Sequence, residues 1–452
     1  MIGILLLIIS LYLYFKPKYR HISYLIYLSF MLGYGGGFGL TTDAVIGVKN
    51  KDMAIIYTFI ISLHLILAKQ YRLPKTKFML WYKLFLCFMI CSIAFSYFHY
   101  GFSFYQILQG GRDFLLIFSL PILIRITPKE LCRLMPMLAW ITIVTSVLYF
   151  MQIVVGRPLM PYGEASIDPS VGLLRVYNIP ALLDLFLALT FVVPEYFGKR
   201  VNILRIIFFI ALICTLGRTG IFSSLMIVIL SIYFMGKASR LLKTVVVLGI
   251  LFIPFAGIIS ERFSEGGTSD DLSVLFSGAY KDFNYGDGGT MTYRIGWVYE
   301  RIDYLVHRPL SEQIFGLGLI SDNQPLVTKL YNFRLGLVNP STEMPTQLTT
   351  PDIAYGNIIS RLGFGGGLIY LLMLISLACY LYKQRRTNAL LIVGAAQLIM
   401  LFLCSFAGSS LSEPKNLVMY FVMISMILHK NQISQLKRPK DLLLYKNINN
   451  KQ

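Results

Sequence analysis

Residues 349–357 read TTPDIAYGN, and they join the longest polar segment of the chain to a hydrophobic run. The polar segment extends from about residue 260 to Asp352, and it is the only long one between two hydrophobic spans. Nearly everything else consists of apolar runs of about 15–22 residues, the length that crosses a bilayer as a helix. The carboxylate of Asp352 therefore stands where a membrane helix meets a polar loop, and it is a candidate for chemistry at that boundary.

Composition places the chain among polytopic membrane proteins. Only 14% of its 452 residues are charged, 56% are hydrophobic, and the mean hydropathy is +0.66. The apolar runs are continuous and lack the short alternation of barrel strands, so the spans must be helical. We predict an all-α polytopic membrane protein with about 12–13 transmembrane helices and one large extracytoplasmic loop.

The hydropathy pattern divides the chain into four regions. Residues 1–259 hold transmembrane helices 1–10 with short loops, and residues 260–352 form the large loop. Residues 353–429 hold helices 11–13, and residues 430–452 form a basic tail. Within the loop, apolar residues at helical spacing predict an amphipathic helix near residues 292–307.

The positions of the basic residues predict the orientation in the membrane. The net charge of +19 could indicate a nucleic-acid partner, but Lys and Arg cluster in short connectors between spans. One set of alternate connectors holds 25 of them, and the short connectors of the other set hold seven. By the positive-inside rule the C-terminus is cytoplasmic and the large loop faces outward, and no nucleic-acid partner is predicted.

The cysteines, histidines and glycines have the spacing of neither a metal site nor a phosphate-binding loop. The six cysteines lie in spans or in a basic connector, and the five histidines are scattered, so neither disulfides, a metal site nor a cofactor is predicted. The glycine-rich residues 33–39 lie in a span, where close helix packing or an unwound end is the ordinary explanation. Arg112 and Asp113 are expected to neutralise each other locally.

Two arginines at outer connectors are candidates for binding an anionic headgroup. Arg218 interrupts an apolar stretch where the chain must turn, with Gly217 and Gly220 beside it. An arginine at mid-bilayer depth costs roughly 2.5–3.5 kcal/mol on insertion scales, and guanidinium groups bind diphosphate in a bidentate manner. Anchoring of a helix end is the alternative for Arg218. Arg175 precedes another span and either binds the headgroup or extends to the lipid surface.

The order of these features resembles the O-antigen ligase/polymerase superfamily of bacterial envelope glycan enzymes. Ligases of this family carry a His where this chain has Asp352 and a polar residue where it has Ile353, while Gly363 and Gly366 stand at the matching spacing. With Asp and Ile at these two positions, the chain is similar to the polymerase branch of the family. The resemblance covers about residues 170–410 and rests on Arg175, GRTG at 217–220, the helix from Arg294, Arg308-Pro309, FGLG at 315–318 and residues 352–366.

The resemblance implies an O-antigen polymerase of the bacterial inner membrane, multi-pass, with a periplasmic large loop. Such an enzyme moves a growing glycan from undecaprenyl diphosphate to a lipid-linked repeat unit. The implied partners are this glycan and membrane lipid, and a chain-length regulator protein is a further candidate partner. We expect Asp352 and Arg218 to be catalytic, and substrate contacts from Arg175, Arg294, Arg308 and Glu300.

Two alternatives remain open from the sequence. An O-antigen ligase would transfer finished glycan to lipid A-core. A flippase or transporter of lipid-linked sugars would need intramembrane charges along a path, and the sequence offers few, among them Asp184 and Arg361.

Overall fold

The structure is a computed structural model in which the chain is mostly helical. It describes residues 2–253 except 34, 42–43, 46–47, 72, 162–164, 168–171 and 237, and beyond these 256–257, 277, 290–321, 327, 338–339, 344–345, 347–348, 350, 352–385 and 388–429. Most of the predicted loop before residue 290, much of its second half and the predicted tail at 430–452 lie outside the described residues.

Helices dominate the described ranges, with a few very short strands. The α-helices are α1 Ile2–Tyr14, α2 Arg20–Ser29, α3 Asn50–Leu67, α4 Lys77–Phe98, α5 Phe104–Leu115, α6 Leu120–Leu123, α7 Pro128–Val155, α8 Leu183–Val192, α9 Pro194–Phe197, α10 Val201–Ile213, α11 Arg218–Phe234, α12 Ala238–Phe252, α13 Thr290–Val306, α14 Leu310–Phe315, α15 Ala354–Gln384, α16 Ala389–Cys404 and α17 Val418–Leu428. Short 3₁₀ turns occupy Gly37–Gly39, Leu116–Ser119, Gly198–Arg200, Ser410–Ser412 and Pro414–Leu417. Three antiparallel hairpins pair β1 Ala44–Val45 with β2 Val48–Lys49, β3 Ala165–Ile167 with β4 Leu174–Val176, and β5 Val338–Asn339 with β6 Met344–Pro345.

Among the described residues, four helices are long and apolar enough to cross a membrane: α3, α4, α7 and α15. Other predicted spans are divided into shorter helices. Hydropathy predicts spans at about 107–125 and 179–197; the first is covered by α5, a 3₁₀ turn and α6, and the second by α8 and α9 from Leu183 onward. Helix α13 begins and ends within two residues of the predicted amphipathic helix.

Inner and outer helices differ in what surrounds them. Nearly all side chains of α8 and α17 are buried, as are most of those of α16, so these three helices form the centre of the bundle. A helix that is apolar all round must lie inside a protein or a membrane. Helices α3, α4 and α7 bury only 39% of their apolar windows, and their remaining apolar surface is the kind that contacts lipid.

Polar contacts gather at two opposite ends of the bundle. At one end, basic residues bind neighbouring connectors: Arg125 Nη1 donates to Gln70 O at 2.6 Å, and Arg20 Nη1 lies 3.5 Å from Glu130 Oε1. At the other end lie the start of α3, the end of α5 and the residues that precede α15. We refer to this second end as the charged end, because the ion pairs described below lie there.

Of the glycine-rich segment, residues 33 and 35–39 form a turn at the charged end, after α2 has ended at Ser29. Glycines 33, 35, 36, 37 and 39 all have positive φ, which side chains with a Cβ rarely adopt. Asn50 Nδ2 donates to Gly35 O at 2.9 Å, and Asn178 Nδ2 donates to Gly39 O at 3.0 Å. Of the two expected explanations, the turn corresponds to the unwound end.

The segment after α14 runs into the bundle without regular structure. Leu317, Leu319 and Ile320 are each 1% exposed. Non-helical backbone at this depth is tolerated only when protein surrounds it and satisfies its polar groups. Leu317 N donates to Ser360 O and Leu319 N donates to Ser96 Oγ, at 2.9 and 3.0 Å.

Glycines make room for this inserted segment. A Cβ on Gly110 would lie 2.5 Å from Ile320 C, and one on Gly316 would lie 2.5 Å from Gly363 N. Gly363 has φ +63° and ψ −170°, so α15 bends there. The part of α15 before the bend is therefore packed against the loop that precedes it.

Candidate functional site

Asp352 lies at the charged end, two residues before α15. The α15 helix has no side-chain cap at Ile353, and Ala354 N donates instead to Ser405 O at 3.0 Å. The Asp352 side chain is 42% exposed. The carboxylate of Asp352 is therefore accessible to water, while the backbone two residues later is bonded to the helix bundle.

Arg294 on α13 meets Asp352, although the two are far apart in the sequence. Arg294 Nη2 lies 3.8 Å from Asp352 Oδ1. The approach is possible because α13 packs along α15 through Trp297 and Gly356, where a Cβ on the glycine would lie 2.6 Å from Trp297 Cδ1. Arg294 and Asp352, which are predicted as site residues on separate grounds, therefore contact each other.

Arg301, seven residues after Arg294 on α13, is fully buried. Its guanidinium lies 3.5 Å from the centre of the Trp297 ring, and Nη1 lies 2.8 Å from Glu300 Oε2. Its Nη2 donates to Gln347 O at 2.8 Å. An arginine in an amphipathic helix is normally assigned to the exposed face, so no local signal marks Arg301 as internal.

Glu300 is consequently placed as the partner of Arg301. Its side chain is 7% exposed. The predicted role of Glu300 as a substrate contact would require it to leave this buried pair, which is costly because a charged Arg301 would remain behind.

Arg308 lies at the opposite end of α13. It follows the last residue of that helix by two positions, and at about 1.5 Å per residue it is about 20 Å from Arg294. Its Nη2 donates to Tyr304 Oη at 2.6 Å, and its Nε lies 3.8 Å from Glu312 Oε2. His99 Nε2 lies 3.3 Å from Glu312 Oε1, so Glu312 joins the end of α4 to the loop. Arg308 belongs to this docking contact and not to the surroundings of Asp352.

Arg218 is the first residue of α11. The preceding Gly217 gives the helix no side-chain cap, and Leu216 has a positive φ of 50°. Within the described part of the chain, Arg218 makes no ion pair and no side-chain hydrogen bond. The first amides of α11 and the guanidinium thus place two sources of positive potential side by side.

Arg175 lies on β4, and the hairpin that contains β4 lies beside the turn before Arg218. Its guanidinium lies 4.8 Å from the centre of the Tyr177 ring. The adjacent Val176 is buried with Tyr149, and Cys214 packs against that cluster four residues before Arg218. The hairpin that carries Arg175 and the turn that carries Arg218 are therefore neighbours.

Helix α16 connects the Arg218 turn to Asp352. Helix α11 packs along α16, and Ser223 lies beside Cys404 at the end of that helix. The next residue, Ser405, accepts the hydrogen bond from Ala354 N. Arg218 and Asp352 therefore lie at the same end of the bundle, on different elements, and do not pair with each other.

A group of crossed ion pairs occupies the charged end near α3 and α5. Lys51 Nζ lies 2.6 Å from Asp113 Oδ1, and Arg112 Nε lies 3.1 Å from Asp52 Oδ1. The expectation that Arg112 and Asp113 neutralise each other is wrong, since adjacent residues on a helix point in different directions and each reaches α3 instead.

Glu413 and Lys415 extend this group towards α15. Their side chains pair at 2.8 Å, and Ser409 Oγ donates to Glu413 Oε1 at 2.9 Å. Burial raises the pKa of Glu413, but the charge and hydrogen bond of Lys415 and the charge of Lys51 outweigh it and hold that pKa below its usual value. The group is thus a mixed-charge network and not an open cationic patch.

Among the described residues, no three His, Cys, Asp or Glu side chains are grouped so that they could hold a metal ion. His307 Nδ1 lies 3.8 Å from Asp303 Oδ1 as an exposed pair. No family model matches the chain, and no curated protein matches it.

Proposed function

We propose that this membrane protein is an O-antigen, or related surface-polysaccharide, polymerase. It transfers a growing glycan from undecaprenyl diphosphate onto a lipid-linked repeat unit, with the charged end of the bundle on the periplasmic side of a bacterial inner membrane. The observation that carries the proposal is the contact between Arg294 and Asp352, at 3.8 Å. It joins a partly exposed carboxylate to a cation where a membrane helix meets the loop.

The transfer forms one bond and breaks one. An acceptor hydroxyl oxygen attacks the anomeric carbon of the glycan, and the bond from that carbon to the diphosphate oxygen breaks. The hydroxyl proton goes to the Asp352 carboxylate, which accepts its hydrogen bond and orients it. Arg294 stands beside this carboxylate as a positive charge.

The departing diphosphate gains negative charge, and in this scheme Arg218 stabilises it. Its guanidinium stands at the N-terminus of α11, and that helix end favours anions as well. Arg175 on the adjoining hairpin supplies a second cation. Diphosphate is already a good leaving group, so positioned positive charge is the main requirement for its departure.

The first test uses a deletion strain of the bacterium that carries the gene and electrophoresis of its lipopolysaccharide. A polymerase deletion leaves bands with a single repeat unit. A ligase deletion leaves no glycan on lipid A-core at all, and that result would overturn the proposal. Loss of lipid-linked repeat units from the periplasmic face would instead indicate a flippase.

Complementation with variants assigns the residues. We expect Asp352→Asn and Arg218→Ala to give only single-repeat bands while inserting in the membrane normally. Arg218→Lys is the matched variant for charge, and it should remain impaired because an ammonium cannot form the bidentate fork. A normal ladder from Asp352→Asn would show that Asp352 takes no proton.

A further inference from the structure

Asn357, in the first turn of α15, is bonded to the backbone that leads to Asp352. Thr350 N donates to Asn357 Oδ1 at 3.1 Å, and Asn357 Nδ2 donates back to Thr350 O at 2.9 Å. The side chain is buried, with 4% of the residue exposed. A carboxamide can donate and accept at once, so it fixes both polar groups of one residue, as a neighbouring strand would.

Thr350 passes this constraint on to Asp352. Asp352 N donates to Thr350 Oγ1 at 3.2 Å, and the same hydroxyl lies 3.5 Å from Asp352 Oδ2. Such a hydroxyl-to-amide bond two residues on is a common way to fix a turn. The backbone of Asp352 is thus set by the Thr350 hydroxyl, and the Thr350 backbone is set by Asn357.

Two further contacts hold the same segment. Asn357 Nδ2 lies 3.4 Å from Ser412 Oγ, and that hydroxyl donates to Ser409 O at 2.7 Å. On the loop side, Arg301 binds Gln347 O. Gln347 and Thr350 are therefore each bonded to a helix, and Asn357 makes the contact nearer the carboxylate.

We propose that Asn357 is a positioning residue for the Asp352 carboxylate and acts through Thr350. This inference rests on the proposed transfer reaction for its catalytic consequence. Asn357 is buried and touches no reacting atom in this scheme. Its effect is on where the carboxylate stands relative to the acceptor hydroxyl.

The contact with Arg294 cannot do this positioning alone. At 3.8 Å it is longer than a hydrogen bond, and a partly exposed ion pair allows several geometries. The direction of the Asp352 side chain then depends on its backbone, and the backbone depends on Thr350. A displacement of about 1 Å in a reacting group can cost about 100-fold in rate.

The experiment compares Asn357→Ala with Asn388→Ala in full-length protein in lipid nanodiscs. Asn388 is a matched control, because it is a buried asparagine that caps α16 by accepting from Leu390 N at 2.8 Å. Polymerisation of a lipid-linked repeat unit gives kcat and KM, and thermal unfolding gives the stability of each variant.

We expect Asn357→Ala to lower kcat by about 10- to 100-fold with KM unchanged. Asn388→Ala should lose comparable stability and keep kcat. Thr350→Ala should resemble Asn357→Ala, Thr350→Ser should retain activity because it keeps the hydroxyl, and the double variant Asn357→Ala/Thr350→Ala should be no worse than either single one. Equal kcat in the two asparagine variants would overturn the inference.

Hydrogen exchange provides a readout that does not require activity. In Asn357→Ala the amides of Thr350 and Asp352 should exchange faster, while those of α16 stay protected; Asn388→Ala should show the reverse. If the wild-type protein makes no polymer, the proposed function fails, and the exchange result still decides whether Asn357 holds this segment. Unchanged exchange at both amides would show that the Asn357 side chain does not hold the backbone at Thr350 and Asp352.

Discussion

Replacing Glu300 separates a buried structural pair from a substrate contact. Arg301 is fully buried, and its ion pair with Glu300 is 2.8 Å long. Breaking a buried pair by removing one partner costs about 3–5 kcal/mol, because the remaining charge is uncompensated. Gln at position 300 keeps an oxygen that can accept from Arg301, so for Glu300→Gln we expect a loss near the lower limit, about 3 kcal/mol.

The free energy of unfolding can be measured in mixed micelles as the fraction of denaturing detergent rises. Asp303→Asn is the matched control, since it removes an acid from the same helix where the side chain is 45% exposed. It should change stability by no more than about 0.5 kcal/mol. The double variant Glu300→Gln/Arg301→Met removes both charges and should cost clearly less than the sum of the two single variants.

Two results would contradict this reasoning. The first is a Glu300→Gln variant as stable as Asp303→Asn, which would mean that Arg301 does not depend on Glu300. The second is a loss of the proposed polymerase activity in Glu300→Gln with no loss of stability. That outcome would restore the role that the sequence predicts for Glu300, a contact with the substrate.

Two further predictions concern the charged end. The depressed pKa of Glu413 means that its carboxylate stabilises the fold fully above its unfolded pKa, with an ordinary value of 4.5, and that this stability is lost as the pH falls through the lower folded value. Acid unfolding profiles should therefore converge for wild type and Glu413→Gln at low pH and separate above it, and parallel profiles would exclude the pairing with Lys415. A double-mutant cycle of Lys51→Gln and Asp113→Asn should give a coupling of about 0.5–1 kcal/mol, whereas Arg112→Gln with Asp113→Asn should give a smaller one; the opposite order would reject the crossed pairs.

The class of the protein and several of its elements follow from the amino-acid residues alone. Continuous apolar runs require helices in a membrane, because hydrocarbon offers no partner for backbone polar groups. Helical spacing located α13 to within two residues, and the polar boundary located Asp352. These properties are local, since each depends only on the residues of one segment and the solvent around it.

Which charged groups contact each other depends on how separate elements pack. Arg112 and Asp113 are neighbours in the chain but reach different partners on α3, and Arg294 finds Asp352 across the loop. Arg301 enters the interior because Glu300 and Gln347 O satisfy it there. A hydrophobic pattern fixes which face of a helix is covered, while the partner of a charge depends on how separate elements pack. The sequence therefore predicts Asp352 as a site residue. The packing of separate elements brings Arg294 to its side chain and Asn357 to the backbone of Thr350 that precedes it.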